Sequence, residues 1–302
     1  MKKVNLLAIL AISFSLTSFV ACTITPEQSV GTDEALSVTA QDEAQSANLS
    51  DIAIATTDEY VNTFDASGFQ AVSVPKAVSE PQKVNGIGAI DSGKVVITVD
   101  KTGITVFPKK ICVDFGTGVV DKRGNTLKGK IYVIISNRMG VAGSTRKLEY
   151  YEFFINDNQL KGSKTVTYLG SNRQVTDNVV TETPSWSISV KDTIVRADGT
   201  KLIWNSERVR TRISNNATPL LYWDDIYSIT GTSNGVNATG VAYTVEITKP
   251  LILKGGWKFF VEGTVLTTSD KRTAVLDYGN GDKDAKATLT INGVTKDINL
   301  RK

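Results

Sequence analysis

One arrangement of carboxylates and glycines occurs twice in the chain. Asp114-Phe115-Gly116-Thr117-Gly118-Val119-Val120-Asp121 and Asp277-Tyr278-Gly279-Asn280-Gly281-Asp282-Lys283-Asp284 share the pattern Asp-aromatic-Gly-x-Gly-x-x-Asp. Asp114 with Asp121, and Asp277 with Asp282 and Asp284, offer hard oxygen ligands of the kind that hold calcium. The spacing matches neither the EF-hand loop nor the glycine-rich nonapeptide repeat. The same residues also build a plain turn, in which Gly supplies positive φ and Asp accepts backbone N–H groups. The one cofactor these loops suggest is calcium, and no other is expected. Neither glycine cluster reads as a nucleotide loop, because no helical pattern follows it.

Arg208, Arg210 and Arg212 alternate along one strand-like run, so they project from one face. They form a basic stripe able to meet sulfate, carboxylate or phosphate. Trp204, Trp223 and Trp257 are candidates to stack on sugar rings, or else to fill a core. The chain has no His and two Cys. Ser-His-Asp and Cys-His catalysis, His-ligated metals and Cys-rich zinc sites are thereby excluded. Acid–base chemistry would fall to carboxylates, Lys or Tyr. The enzymatic alternative is thus a carbohydrate-active hydrolase using a pair of carboxylates, although spacing singles out no pair.

These residues must be positioned by three stretches of different character. Lys2 and Lys3 precede an apolar run, Leu6 to Leu16, that is too short to span a bilayer. Phe19-Val20-Ala21-Cys22 follows and resembles the lipobox of bacterial lipoproteins. The resemblance implies a signal peptide over residues 1–21 and diacylated Cys22 as the new N-terminus, holding the chain to a membrane through its acyl chains. One acyl chain binds marginally and two or more anchor stably. Cleavage after Ala21 without lipidation would instead leave a secreted protein. With Cys22 consumed, Cys112 is the one mature thiol, and no intramolecular disulfide is possible.

Residues 22–83 are rich in Ser, Thr, Ala, Gln and acids. From Thr23 to Glu80 ten acids face the single base Lys76, a net charge of about −9, and the remainder of the mature chain is basic by about +10. Such composition buries too little apolar surface to offset chain ordering, so this stretch reads as a disordered, flexible acidic tether. A short helix over Asp51 to Phe64 fits Ser50 or Asp51 as N-cap, but Ile52, Ile54, Val61 and Phe64 do not share one face.

Residues 84–302 change pattern. Runs rich in Val, Ile, Thr, Tyr and Phe alternate with Gly, Asn and Asp turns. Twelve runs read as strands: 94–100, 110–115, 130–136, 149–155, 164–169, 186–196, 201–213, 225–231, 241–248, 258–267, 287–292 and 295–300. Asn156-Asp157, Asp198-Gly199 and Asn292-Gly293 read as tight turns. The fold class is all-β, a large antiparallel sheet arranged as a sandwich, an extended curved sheet or a barrel.

Several runs together resemble a family of Bacteroidota outer-membrane lipoproteins that share a β-rich domain of no assigned activity. They are PKKICVDFGTG from Pro108, DKRGNTLKGKIYV from Asp121, LKGSKTVT from Leu160, WDDIYSITGTSNGVNATG from Trp223 and LDYGNGDKDAKATLTINGVTKDI from Leu276. The resemblance covers about Pro108 to Leu300 and implies an outer-membrane location. Family members often carry Cys where this chain has Val119 or Val120, Gly256 and Lys283, so a disulfide or metal role there does not transfer. The expected function is a non-catalytic binding or scaffolding role at the cell envelope, with a polysaccharide or an envelope protein as ligand and no nucleic-acid partner.

Overall fold

A computed structural model describes residues 27–66, 82–83, 95–99, 106–176, 179–214 and 224–300. Helix α1 (Glu27–Ala66) is followed by β1 (Gln82–Lys83), β2 (Val96–Val99), β3 (Lys109–Asp114), β4 (Val119–Val120) and β5 (Thr126–Ile135). Next come β6 (Thr145–Ile155), β7 (Asn158–Thr176), β8 (Val179–Val195), β9 (Lys201–Arg212) and β10 (Ile226–Val236). β11 (Ala242–Lys254), β12 (Glu262–Ser269), β13 (Arg272–Asn280), β14 (Lys286–Ile291) and β15 (Val294–Asn299) complete the chain. All fifteen strands join one antiparallel sheet, in which each strand pairs with its neighbour in sequence except for the small β4, which sits beside β5.

The local chemistry explains the meander. Asn156 and Asp157 take φ of 48° and 66° and join Ile155 to Asn158, the primed turn that matches strand twist. Asn292 and Gly293 do the same between Ile291 and Val294. Along β9 Leu202, Trp204, Ser206, Arg208 and Arg210 are buried, while Lys201, Ile203, Glu207 and Val209 are exposed. Polar pairs stand among these outward positions: Ser189 donates to Glu207, and Asn205 to Asn234. Edge strand β15 is exposed on nearly every residue and carries Lys296 and Asp297, which blunt its free edge.

The sheet is strongly curved. Gly129 has φ +82° and lies where the β5–β6 register shifts, and Gly231 has φ +130° at the shift between β10 and β11. A Cβ on either would stand 1.9 Å from Glu152 O or 2.2 Å from Glu207 O. Only glycine allows these bulges, which bend the strands. The result is a sheet that curls around α1. Glu43 of the helix meets β9 and β10, while Tyr60 packs against Phe115 just past the end of β3.

The stretch expected to be a flexible acidic tether is corrected by this arrangement. Residues 27–66 form a single 40-residue helix, nine of whose side chains are acidic and none basic. Between Asp33 and Tyr60 only Glu34 and Ala35 are exposed. Sequence periodicity misses α1 because enclosure on every side requires no apolar stripe. The sheet supplies the partners that ordinary burial would deny to Asp42, Glu43 and Asp58. Apolar burial adds to this: Leu36, Leu49, Ile52 and Ile54 are each buried, at roughly 1.5–3 kcal/mol apiece. Residues 1–21 and Cys22 lie outside the described residues, and no helix among those described is long and apolar enough to cross a membrane.

Candidate functional site

The interior is a charge lattice between α1 and the sheet. Glu43 accepts from Trp204 Nε1 at 2.6 Å, from Ser233 Oγ at 2.7 Å and from Arg208 Nη2 at 3.3 Å. Asp42 accepts from Arg196 Nη2 at 2.5 Å and from the backbone N–H of Ala238 at 2.9 Å. Asp58 pairs with both Arg146 and Arg210. Lys164 Nζ donates to Ser50 O and Oγ at 3.0 and 2.7 Å and faces Asp192 at 3.1 Å. Burial pushes the Asp51 carboxyl up, against the opposing pull of Arg208, Arg210 and Lys164. It likewise raises Asp192 and lowers Lys164, each offset by the other's charge. Ser50 and Lys164 have the composition of a nucleophile–base pair, yet both are sealed within the fold and the ammonium is held in a three-way clamp.

The arginine stripe therefore divides. Arg208 and Arg210 are buried against the helix acids, and Arg210 also stacks on Tyr227 at 3.9 Å. Arg212 is half-buried beside Asp225 at 3.8 Å. Trp204 is an interior donor to Glu43, and Trp223 lies outside the described residues.

The two Asp-Gly loops share one hydrogen bond. Asp114 Oδ1 accepts from Gly116 N and Asp277 Oδ1 from Gly279 N, each at 2.8 Å. Asp121 accepts from Arg123 N and Asn125 N, and Asp284 from Lys286 N. Asp282 is exposed. The carboxylates thus serve the turn, and no group of three His, Cys, Asp or Glu converges among the described residues. The aromatic of each motif points inward: Phe115 packs edge-on against Tyr60 of α1, and Tyr278 against Phe260.

Trp257 is placed differently. It lines a cavity of about 660 Å³ together with Gln45, Asn48, Asn125, Asn156, Asn158 and Lys258. One flank of α1 forms part of the wall. The β4–β5 and β6–β7 turns supply Asn125 and Asn156, and the β11–β12 connection supplies Trp257 and Lys258. Trp257 is fixed by donating Nε1 to Asp284 O at 3.2 Å. Asn156 Nδ2 donates to Asn125 Oδ1 at 3.0 Å, and Asn156 Oδ1 accepts from Thr126 N at 2.8 Å. Gln45 Oε1 is taken by Arg196, which leaves Nε2 open, and the side-chain amide of Asn48 makes no hydrogen bond among the described residues. A second cavity, bounded by Phe259, Phe260 and Tyr278, shares Gln45 and Asn48 and extends the groove along the helix to Gln41. Amides place a donor and an acceptor side by side, the arrangement that matches neighbouring hydroxyls, and an indole supplies an apolar face. Sequence reasoning misses these residues because they come from α1 and three distant turns; only Trp257 carries a signal.

No family model, curated protein or solved structure matches the chain.

Proposed function

We propose that the protein is a lipid-anchored component of the cell envelope, at the outer membrane, that binds a polysaccharide without turning it over. The observation that carries this reading is the grouping of Gln45, Asn48, Asn125, Asn156 and Asn158 around Trp257 in one groove. Its volume falls in the ~300–1,000 Å³ range of small-ligand pockets. Amide-to-amide and amide-to-backbone hydrogen bonds fix several of these side chains before any ligand arrives, which lowers the entropic cost of binding. The anchor rests on Phe19-Val20-Ala21-Cys22 in the sequence.

The test is a glycan array with the whole mature chain, followed by calorimetry on the glycans retained. Saturable binding that falls at least tenfold in Trp257→Ala supports the proposal. Release of shortened product would overturn it in favour of the hydrolase. Mass spectrometry of the mature terminus tests the anchor separately, and an unmodified Cys22 would refute it.

A further inference from the structure

A separate cavity lies where the C-terminal half of α1 meets β6, β8 and β9. It encloses about 190 Å³, and Arg146, Arg210 and Arg212 line it together with Tyr168, Trp186 and Tyr227. Arg146 and Arg210 stand on strands three places apart, about 14 Å in a flat sheet. They nevertheless reach the same carboxylate, Asp58, because the sheet is concave. Arg212 Nε is buried and makes no hydrogen bond; its nearest carboxylate is Asp225, at 3.8 Å. Asp225 is itself engaged, accepting from Tyr227 Oη at 2.8 Å and from Ser214 Oγ at 3.2 Å.

Asp58 is thus shared between two guanidinium groups, Asp51 adds a more distant charge beside Arg210, and Arg212 keeps one N–H without a hydrogen bond. The open N–H of Arg212 beside the cavity fits an oxyanion, because guanidinium matches planar or tetrahedral oxyanions with paired donors. The aromatic wall is continuous: Tyr168 and Trp186 are 5.8 Å apart between ring centroids, and Trp186 and Tyr227 are 6.3 Å apart. Arg210 covers Tyr227 at 3.9 Å, so Tyr168 and Trp186 are the rings that would take the apolar face of a sugar. The volume suits one ring and its substituent, well below the ~300 Å³ at which larger ligands begin.

We infer that Arg146, Arg210 and Arg212 form a binding site for a single sugar ring bearing a carboxylate or sulfate, with Asp58 of α1 as the built-in competitor for the same guanidinium groups. The site is separate from the amide groove and does not depend on the reading given to that groove. A uronate and a sulfated sugar present the same oxyanion chemistry.

Calorimetry on the full mature chain decides the matter, with sodium glucuronate, glucose 6-sulfate, inorganic sulfate and glucose as probes. Either charged sugar should bind, and glucose should not. Whichever binds identifies the oxyanion. Arg212→Gln, at a half-buried strand end, should weaken binding at least tenfold with little change in melting midpoint. Asp58→Asn should tighten it severalfold. Tyr168→Ala should weaken the charged sugar, and Trp257→Ala should leave it untouched. Binding of inorganic sulfate alone would overturn the ring portion of the assignment. Absence of binding by both charged sugars, or equal affinity in Arg212→Gln and the parent, would overturn the site. Loss of binding in Trp257→Ala would place the ligand in the other groove and equally refute it.

Discussion

The indole N–H of Trp204 points inward and donates to Glu43 Oε2 at 2.6 Å, across 161 residues of sequence. The other oxygen of the same carboxylate takes Arg208 and Ser233. Glu43 is thus the point at which α1 is locked to β9 and β10. Removing one partner of a buried ion pair leaves the other uncompensated, at roughly 3–5 kcal/mol. Glu43→Ala should lose about that much in urea unfolding and shift the Trp emission. Glu43→Gln keeps the acceptor for Trp204 and should lose less. A Glu43→Ala chain as stable as the parent would show that α1 is not held at this point.

Lys164 and Asp192 behave as a pair that is costly to split and cheap to replace. Both are buried, and the amine lies 3.1 Å from the carboxylate. Lys164→Met alone should destabilise the fold by about 3 kcal/mol or more, because Asp192 is left without its counter-charge. Lys164→Met with Asp192→Leu should recover most of that loss. Denaturant midpoints of the two variants test this, and non-recovery would mean that the contact of Lys164 with Ser50 matters more than the ion pair.

Asp51 gives a pH dependence with a definite sign. Burial raises its folded pKa above the unfolded value near 3.8. The folded chain therefore binds more protons than the unfolded chain between those two values, and this residue's contribution to stability falls as pH rises through that window. Above that window Asp51 opposes folding. Asp51→Asn should raise the melting midpoint at pH 7, and the difference should shrink toward zero as pH approaches 3.8. A constant difference across that range would rule out ionisation as its source.

Curvature rests on a few bulges. Ala at Gly231 would drive its Cβ to 2.2 Å from Glu207 O, and at Gly129 to 1.9 Å from Glu152 O. Each substitution should cost at least ~2 kcal/mol, from backbone strain together with the clash. Chemical denaturation reads this directly, and an unperturbed Gly231→Ala would show that β10 can bend without the bulge.

Calcium should make no difference to the melting midpoint, with or without chelator. The first oxygen of Asp114 and of Asp277 already accepts a backbone N–H two residues on. A rise of several degrees with added calcium would overturn the turn reading of these loops.

Much of the sheet is legible in the sequence because strands announce themselves locally. Alternation in β9 and the turn residues Asn156-Asp157, Asp198-Gly199 and Asn292-Gly293 need nothing from elsewhere in the chain. Strand β13 is hidden because its end, Asp277-Tyr278-Gly279, reads as loop chemistry. α1 is hidden for a deeper reason. Its Asp42, Glu43 and Asp58 look like solvated charges until Arg196, Arg208, Arg146 and Arg210 are seen to surround them, and those partners lie 88 to 165 residues away. The arginine stripe does occupy one face of one strand, as its spacing implies, but nothing local says that the face is concave. Asn48 and Asn125 carry no signal at all until turns from opposite ends of the sheet are brought to the same flank of the helix.

Helix α1 lends no rung to the strand ladder. Tension applied at its N-terminal end would load a long row of ion pairs and amides in shear, all of which must slip before the helix slides. The strands, by contrast, unzip rung by rung when peeled. A chain pulled from that end would yield first by extraction of its own centre, leaving an emptied, cation-lined shell, and would do so at a force set by α1 rather than by the sheet.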